Sequence, residues 1–269
     1  MPVFLDTSVG RYIFDRWRPE ESESLNAQWT NEPMNQLSEK SQRVRLMFNR
    51  IAARYDLLNH LLSAGSDFYW RRAALNLLAV DSKSQILDVC AGTGDLSIGL
   101  LRRDPSPKLV VGVDLAIEMM RIGQAKTALF ARNAVPYVCG NAESLPFRPD
   151  SFDGAIVAFG VRNFADIPAG LHSMNVVIRP GTRLVVLELS QPLKPILKQF
   201  YHLYFRYLLP RIGGLISGDA DAYRYLNTSV RAFPQREPFM EMMTNAGFKN
   251  VRYRDLSLGI ATLFWGEKG

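Results

Sequence analysis

Val44, Met47, Phe48, Ile51, Ala52 and Tyr55 recur at the three-to-four spacing of one helix side, while Arg43, Arg45, Asn49 and Arg54 fall between them. This pattern predicts a helix that begins near Ser41 and ends before Asp56. Further along, apolar runs of strand length (QILDVC, LVVGVD, VPYVCG, GAIVAF, RLVVLEL) alternate with segments long enough for helices, among them DLSIGLLRR, AIEMMRIGQAKTALF and AGLHSMNVVI. Continuous apolar strands separated by helices predict a buried, mostly parallel sheet. After Pro192 the order changes to a long aromatic segment, a helix near Phe239 to Ala246, and two last strand candidates, VRYRDLSL and IATLFWG. Residues 1–40 carry Glu20, Glu21 and Glu23 among Trp17, Trp29, Pro19 and Pro33 without a sustained period, which predicts a loosely ordered arm.

Composition narrows this picture only a little. With 269 residues and 47% hydrophobic content the chain can bury a sizeable core, so one domain over residues 41–269 behind the arm is expected. No stretch approaches the roughly 18 apolar residues that cross a bilayer, and the start lacks a basic segment followed by an apolar one; a cytoplasmic or peripheral protein is expected. Cys90 and Cys139 lie far apart without a CxxC pattern, so no disulfide framework and no metal site is suggested. The net charge of +6 allows attraction to an anionic membrane, a nucleic acid or an acidic small molecule, and selects none of them.

The first strand runs into Ala91-Gly92-Thr93-Gly94-Asp95. Gly92 and Gly94 let the backbone turn sharply and approach a ligand closely. Asp114 ends the second strand 20 residues beyond Gly94, where a carboxylate can accept hydrogen bonds from a ribose. Ser97 and Ile98 stand where a dinucleotide fingerprint needs a third small residue, and Asp88 and Asp95 bracket the turn. Two carboxylates oppose a pyrophosphate and suit S-adenosylmethionine, with its ammonium and sulfonium. At the end of the third strand, the Asn141 side chain and the Ala142 N–H could read the edge of an adenine; an ordinary strand-to-helix loop is the other reading.

Three further stretches carry a resemblance. FNRIAARYDLLNHLLSAGSDFYWRR, AFGVRNFAD and LPRIGGLISGDADAYRYL are similar to segments of the ubiquinone/menaquinone biosynthesis C-methyltransferases, with AGTGDL, GNAESLPF, RPGTRLVVLELSQP and FPQREPFMEMMTNAGF completing the likeness in order from about Val44 to Gly266. The resemblance implies a Rossmann-like class I fold: a seven-stranded, mostly parallel sheet with helices on both faces, a C-terminal antiparallel hairpin and a helical insertion near residues 193–230. It implies transfer of a methyl group from S-adenosylmethionine to a ring carbon of a polyprenylated benzoquinol or naphthoquinol. The matching cofactor residues are Thr93, Asp114, Asn141 and Ala142. Ala158 stands where relatives often have serine, and Phe264 where they tend to have histidine.

For such chemistry the protein must position two reactants and stabilise a developing phenolate. Arg162 and Asn163 follow the fourth strand at its C-terminal edge, where open α/β sheets hold ligands. Arginine keeps its proton and so suits phenolate stabilisation better than base catalysis. His60, His172 and His202 fall in helical segments outside the motif loops. Tyr55 and Asp56 could close over the pocket, and Asp219, Asp221 and Tyr223 could orient quinol hydroxyls; a helix cap or a surface ion pair is the alternative for each. Residues 193–216 gather Leu193, Ile196, Leu197, Phe200, Tyr204, Tyr207 and Leu208 near one helical face, with Lys194, Lys198, Arg206 and Arg211 among them. That face could rest in a bilayer interface, cover the sheet or meet a second copy of the chain. A nicotinamide dehydrogenase is disfavoured by the acidic turn. A nucleic-acid methyltransferase is disfavoured because no NPPY or DPPY tetrad is present. A cofactor sensor and a methyltransferase for another small or lipid substrate remain open.

Overall fold

A computed structural model describes residues 37–130, 135–195, 199, 201, 203 and 219–269. Seven strands form one sheet: β1 (Gln85–Val89), β2 (Leu109–Asp114), β3 (Tyr137–Cys139), β4 (Phe152–Ala158), β5 (Ile178–Leu189), β6 (Phe248–Leu256) and β7 (Ala261–Lys268). Their order is β3-β2-β1-β4-β5-β7-β6. The first five strands pair in parallel, and β7 lies antiparallel to both β5 and β6. The chain order reverses between β1 and β4, so the crevice beyond their C-terminal ends is where a sheet of this kind receives ligands.

Neighbouring side chains on each central strand divide between the two faces. Ile86, Val110, Ile156, Val185 and Leu263 join one core cluster, whereas Leu87, Val111, Val157, Val186 and Phe264 join the other. The first face receives α2 (Ser66–Leu75) and α3 (Asp95–Leu101); the second receives α5 (Ile167–Val177) and α7 (Glu237–Asn245). Phe264 belongs to this second core, with its ring 4.7 Å from that of Phe239. The seven-stranded sheet and the closing antiparallel pair agree with the fold expected from the sequence.

The remaining helices are α1 (Glu39–Leu62), α4 (Ile117–Phe130) and α6 (Ala220–Ala232). The expected end of α1 before Asp56 is wrong: the helix continues to Leu62, because Leu58 buries its side chain and no breaker intervenes. Its start also lies earlier than expected. Ser38 caps it, its side chain accepting from the Ser41 N–H at 3.1 Å, and Leu37 is buried. The rest of the predicted arm, residues 1–36, and most of the aromatic stretch at 193–216, with the face expected to meet a bilayer, the sheet or a second copy, lie outside the described residues. No helix among the described residues is long and apolar enough to cross a membrane.

Candidate active site

The turn after β1 is built on backbone that few side chains tolerate. Gly94 has φ of +83° and begins α3 as its N-cap; a Cβ there would sit 2.4 Å from the Tyr137 hydroxyl. Opposite it, the residue that follows β4 is Phe159, which is not glycine and yet adopts a φ of +59°. Gly160 follows in close approach to β1, where a Cβ would meet Cys90 Cβ at 2.7 Å. These two strand ends form the floor of a cavity of ≈ 690 Å³.

Asp114 stands at the rim of this floor. Its Oδ2 accepts the Gly92 N–H at 2.9 Å and its Oδ1 accepts the Ala116 N–H at 2.8 Å, so the carboxylate holds the glycine turn against the end of β2. Burial raises its pKa, opposed by those backbone donors. Asn141 forms a local turn, its Oδ1 accepting from the Glu143 N–H at 3.1 Å. Asn141, Ala142, Ala158 and Asn163 line the same cavity as Asp114 and Gly92. Asn163 donates through Nδ2 to the Phe159 carbonyl, while its buried Oδ1 has no partner.

Asp88 sits elsewhere than expected. It is buried beneath the turn, where Oδ2 accepts from the Ser97 hydroxyl at 2.6 Å, and burial pushes its pKa up to about 7 despite that bond. Asp95 is also not a free charge: Lys126 Nζ lies 2.7 Å from Oδ1 and Arg71 Nη2 lies 3.3 Å from Oδ2. Burial raises the Asp95 pKa, but Arg71 and Lys126 outweigh it and hold the carboxyl below its ordinary value. The two carboxylates therefore do not present bare negative charge to the ligand. The charged residues lining the cavity are Asp114, Glu143 and Arg45. Thr93 does not line this cavity; its hydroxyl donates to Asp56 Oδ1 at 2.5 Å.

That contact belongs to a chain of ion pairs absent from the sequence reading. Asp56 Oδ2 pairs with Lys126 at 2.6 Å, Lys126 with Asp95, Asp95 with Arg71, and Arg71 with Asp67 at 2.6 Å, and Asp67 Oδ2 is in turn hydrogen-bonded to His60 Nδ1 at 2.8 Å. It joins α1, α2, α3 and α4 around the glycine turn. His60 also stacks on Phe68 at 4.3 Å, and His172 is exposed, so neither occupies the cavity; His202 lies outside the described residues.

A second cavity of ≈ 1160 Å³ abuts the first and shares Phe48, Tyr55 and Phe159 with it. Most of its wall is apolar, including Met47, Ile51, Leu58, Leu226 and Ile260. Polar side chains interrupt that wall, among them Arg162, Asp67, Asn59, Tyr55, Tyr201 and Tyr225. Arg162 occupies a 3₁₀ turn, Val161–Asn163, directly after the end of β4. Its Nη1 donates to the Phe159 carbonyl and to Glu188 Oε2 at 2.9 Å; its Nε, buried, has no partner. Burial works against this cation, but Glu188 prevails and raises its pKa. Tyr55 and Tyr225 have pKa values raised by burial, with Arg162 pulling each down.

Asp219 does not reach this chamber. Its Oδ1 caps α6 by accepting from the Ala222 N–H at 3.1 Å, and its Oδ2 pairs with Arg50 at 3.0 Å, so the cap and ion-pair reading replaces the catalytic one. Asp221 is exposed and pairs with Arg224; the side chain of Tyr223 lies outside the described residues.

A seven-stranded sheet of this order, with a glycine turn after β1, an acidic residue at the end of β2 and cavities above the β1–β4 switch, defines a class I methyltransferase. Solved structures share the architecture: a SAM-dependent methyltransferase from Thermotoga maritima aligns with a TM-score of 0.61 at 20% identity, covering 84% of this chain and 99% of that one. The [4+2]-cyclase SpnF aligns with a TM-score of 0.63 at 15% identity, covering 85% of this chain and 96% of that one; at such identity the likeness concerns the fold alone. The profile of the ubiE/COQ5 methyltransferase family matches residues 36–268, and the chain belongs to that family. Similar proteins include a ubiquinone/menaquinone biosynthesis C-methyltransferase UbiE from Syntrophotalea carbinolica, 47% identical over 233 residues (87% of this chain, 97% of that protein). A demethylmenaquinone methyltransferase from Porphyromonas gingivalis is 44% identical over 230 residues (85% and 94%). The protein is thus a methyltransferase, and its methyl donor is S-adenosylmethionine.

Proposed function

We propose that the protein methylates a ring carbon of a polyprenylated quinol, converting demethylmenaquinol to menaquinol or performing the equivalent benzoquinol step. The observation that carries this reading is the pair of abutting cavities, the first lined by Asp114 and Asn163 and the second largely apolar with the buried Arg162 guanidinium in its wall. The names of the similar proteins support the same substrate class.

The first cavity fits the donor. Each Asp114 oxygen holds one backbone donor and retains capacity for a ribose hydroxyl. The buried, unpartnered Asn163 Oδ1 offers an acceptor, and Asn141 and Ala142 supply polar groups for an adenine edge. Gly92 and Ala158 allow close approach, while Asp88, Thr93 and Gly94 shape the turn from beneath and beside it. When bound, S-adenosylmethionine supplies an electrophilic methyl group.

In the second cavity Arg162 stabilises the ring oxygen as it gains negative charge, which makes the neighbouring carbon nucleophilic. Tyr55, shared by both cavities, and Asn163 hold the two reactants in register. The ring carbon takes the methyl group as the carbon–sulfur bond breaks and a neutral thioether is left, and the ring regains its aromaticity when its proton leaves to water. The apolar walls accommodate the first isoprene units, and a membrane surface on the cytoplasmic side is the proposed source of the substrate, consistent with the net charge of +6. A nucleic acid is not a proposed partner. The test is incubation of the purified protein with labelled S-adenosylmethionine and reduced demethylnaphthoquinol or its benzoquinol counterpart. Label in the ring of either quinol supports the reading; label in neither overturns it.

A further inference from the structure

We propose that Glu188 is a positioning residue that holds Arg162 as one half of a neutral ion pair, so that the substrate chamber meets an incoming hydroxyl with a compensated guanidinium rather than a free cation. This rests on the chamber being the quinol site.

The geometry is specific. Glu188 lies near the C-terminal end of β5 and is fully buried. Its carboxylate accepts three hydrogen bonds: the Arg162 backbone N–H at 3.1 Å, Arg162 Nη1 at 2.9 Å and the Leu189 N–H at 3.1 Å. One side chain thus sets both the backbone of the 3₁₀ turn and the plane of the guanidinium. Arg162 Nε remains buried without a partner, a donor available to a ligand in the chamber that Arg162 lines. A buried acid inside an apolar strand is costly unless its partner is held in place, and here the partner is the residue placed to contact substrate.

The electrostatic consequence follows from what else faces the pair. The other titratable groups acting on Arg162 are Tyr55 of α1 and Tyr225 of α6, with Tyr201 and Cys90 nearby, and burial pushes up the pKa of all four, keeping them neutral around pH 7. Asp67 of α2 also lines the chamber but is paired with Arg71, so Glu188 is the charge that balances Arg162. An unbalanced cation within about 4–6 Å lowers the pKa of an acid by roughly one to three units. Such a cation would ionise the quinol on arrival and retain the anion. A balanced pair admits a neutral quinol, supports charge only as it develops on the ring oxygen, and releases a neutral product.

The experiment uses the full chain and the variant Glu188→Gln, which keeps the shape and removes the charge. Single-turnover methylation of a short-tailed demethylnaphthoquinol is followed against pH, without oxygen. The acidic limb of the rate profile is expected to move down by about one unit or more in the variant, with donor affinity unchanged. A lowered rate whose limb stays in place assigns Glu188 a merely structural role and overturns the proposal. Should Glu188→Gln fail to fold, Glu188→Asp withdraws the carboxylate by one methylene while keeping its charge. A smaller downward shift is then expected, and no shift in the folded protein overturns the proposal. The visible absorbance of 4-nitrophenolate, titrated in the presence of each protein, gives an independent reading that needs no turnover. Its bound form should ionise at lower pH in the variant, and an identical bound titration overturns the proposal. If the wild-type chain methylates no quinol, the substrate assignment fails, while the nitrophenol titration still reads the ion pair.

Discussion

Thr93 and Asp56 are joined side chain to side chain: the threonine hydroxyl donates to the aspartate at 2.5 Å, tying the glycine turn to the helix that walls both cavities. Asp56 also pairs with Lys126. Replacing Asp56 with alanine removes both contacts at once. Hydrogen bonds to charged groups contribute about 1.5–3 kcal/mol, reduced here by partial exposure, so donor affinity should weaken by about tenfold in isothermal titration while the fold is retained.

Asp114→Asn replaces one carboxylate oxygen with an amide nitrogen that must face either the Gly92 or the Ala116 N–H. A donor set against a donor leaves a buried group unsatisfied, at about 1–3 kcal/mol. Binding of S-adenosylmethionine should weaken by about ten- to a hundredfold. Unchanged affinity would remove Asp114 from the donor site.

Arg162→Lys keeps a positive charge but loses the fork that meets Glu188 and the chamber together. The rate of methyl transfer should fall by about a hundredfold or more with donor affinity preserved, measured by single turnover beside a binding titration. A loss confined to donor binding would move Arg162 out of the chemical step.

Asp88 gives the stability of the protein a pH dependence of predictable sign. The folded chain holds this proton up to about pH 7, whereas an unfolded aspartate releases it near its ordinary value of 3.8. The folded state therefore binds more protons across that window, and the Asp88 contribution to stability falls as pH rises from about 4 to about 7. Asp88→Asn retains an acceptor for Ser97 and should flatten this part of the slope in denaturant titrations.

Gly160→Ala would place a methyl group 2.7 Å from Cys90 Cβ and 2.8 Å from Sγ, with Val157 at 3.0 Å. Overpacking at such a site costs about 1–3 kcal/mol. A lower melting temperature and weaker donor binding should appear together, since these strand ends form the cavity floor.

The strands were legible because the sheet is covered on both faces, which makes the central strands apolar along most of their length, as in β2 up to its terminal Asp114. Asp114 and the glycine turn were legible because their positions follow from strand ends. The extent of α1 was not: Asp56 looks like a terminus, and its partners Thr93 and Lys126 stand 37 and 70 residues away. Glu188 escaped notice for the same reason, since an acid late in RLVVLEL resembles the polar end of a strand until Arg162 is brought against it. Asp88 was recognised, but its environment was misjudged, because sequence spacing places a carboxylate near a turn without saying on which side of the backbone it lies. Asp219 was misassigned although it immediately precedes a helix, the position where an aspartate most often serves as a cap.

The wall common to both cavities has a thermodynamic consequence. Phe48 and Tyr55 project from one helix into the boundary between the two binding spaces, their rings 5.9 Å apart. Whatever shift one ligand imposes on that helix is felt by the other, so neither occupancy is energetically private. The factor by which a quinone analogue changes affinity for S-adenosylhomocysteine must equal the factor by which S-adenosylhomocysteine changes affinity for the analogue.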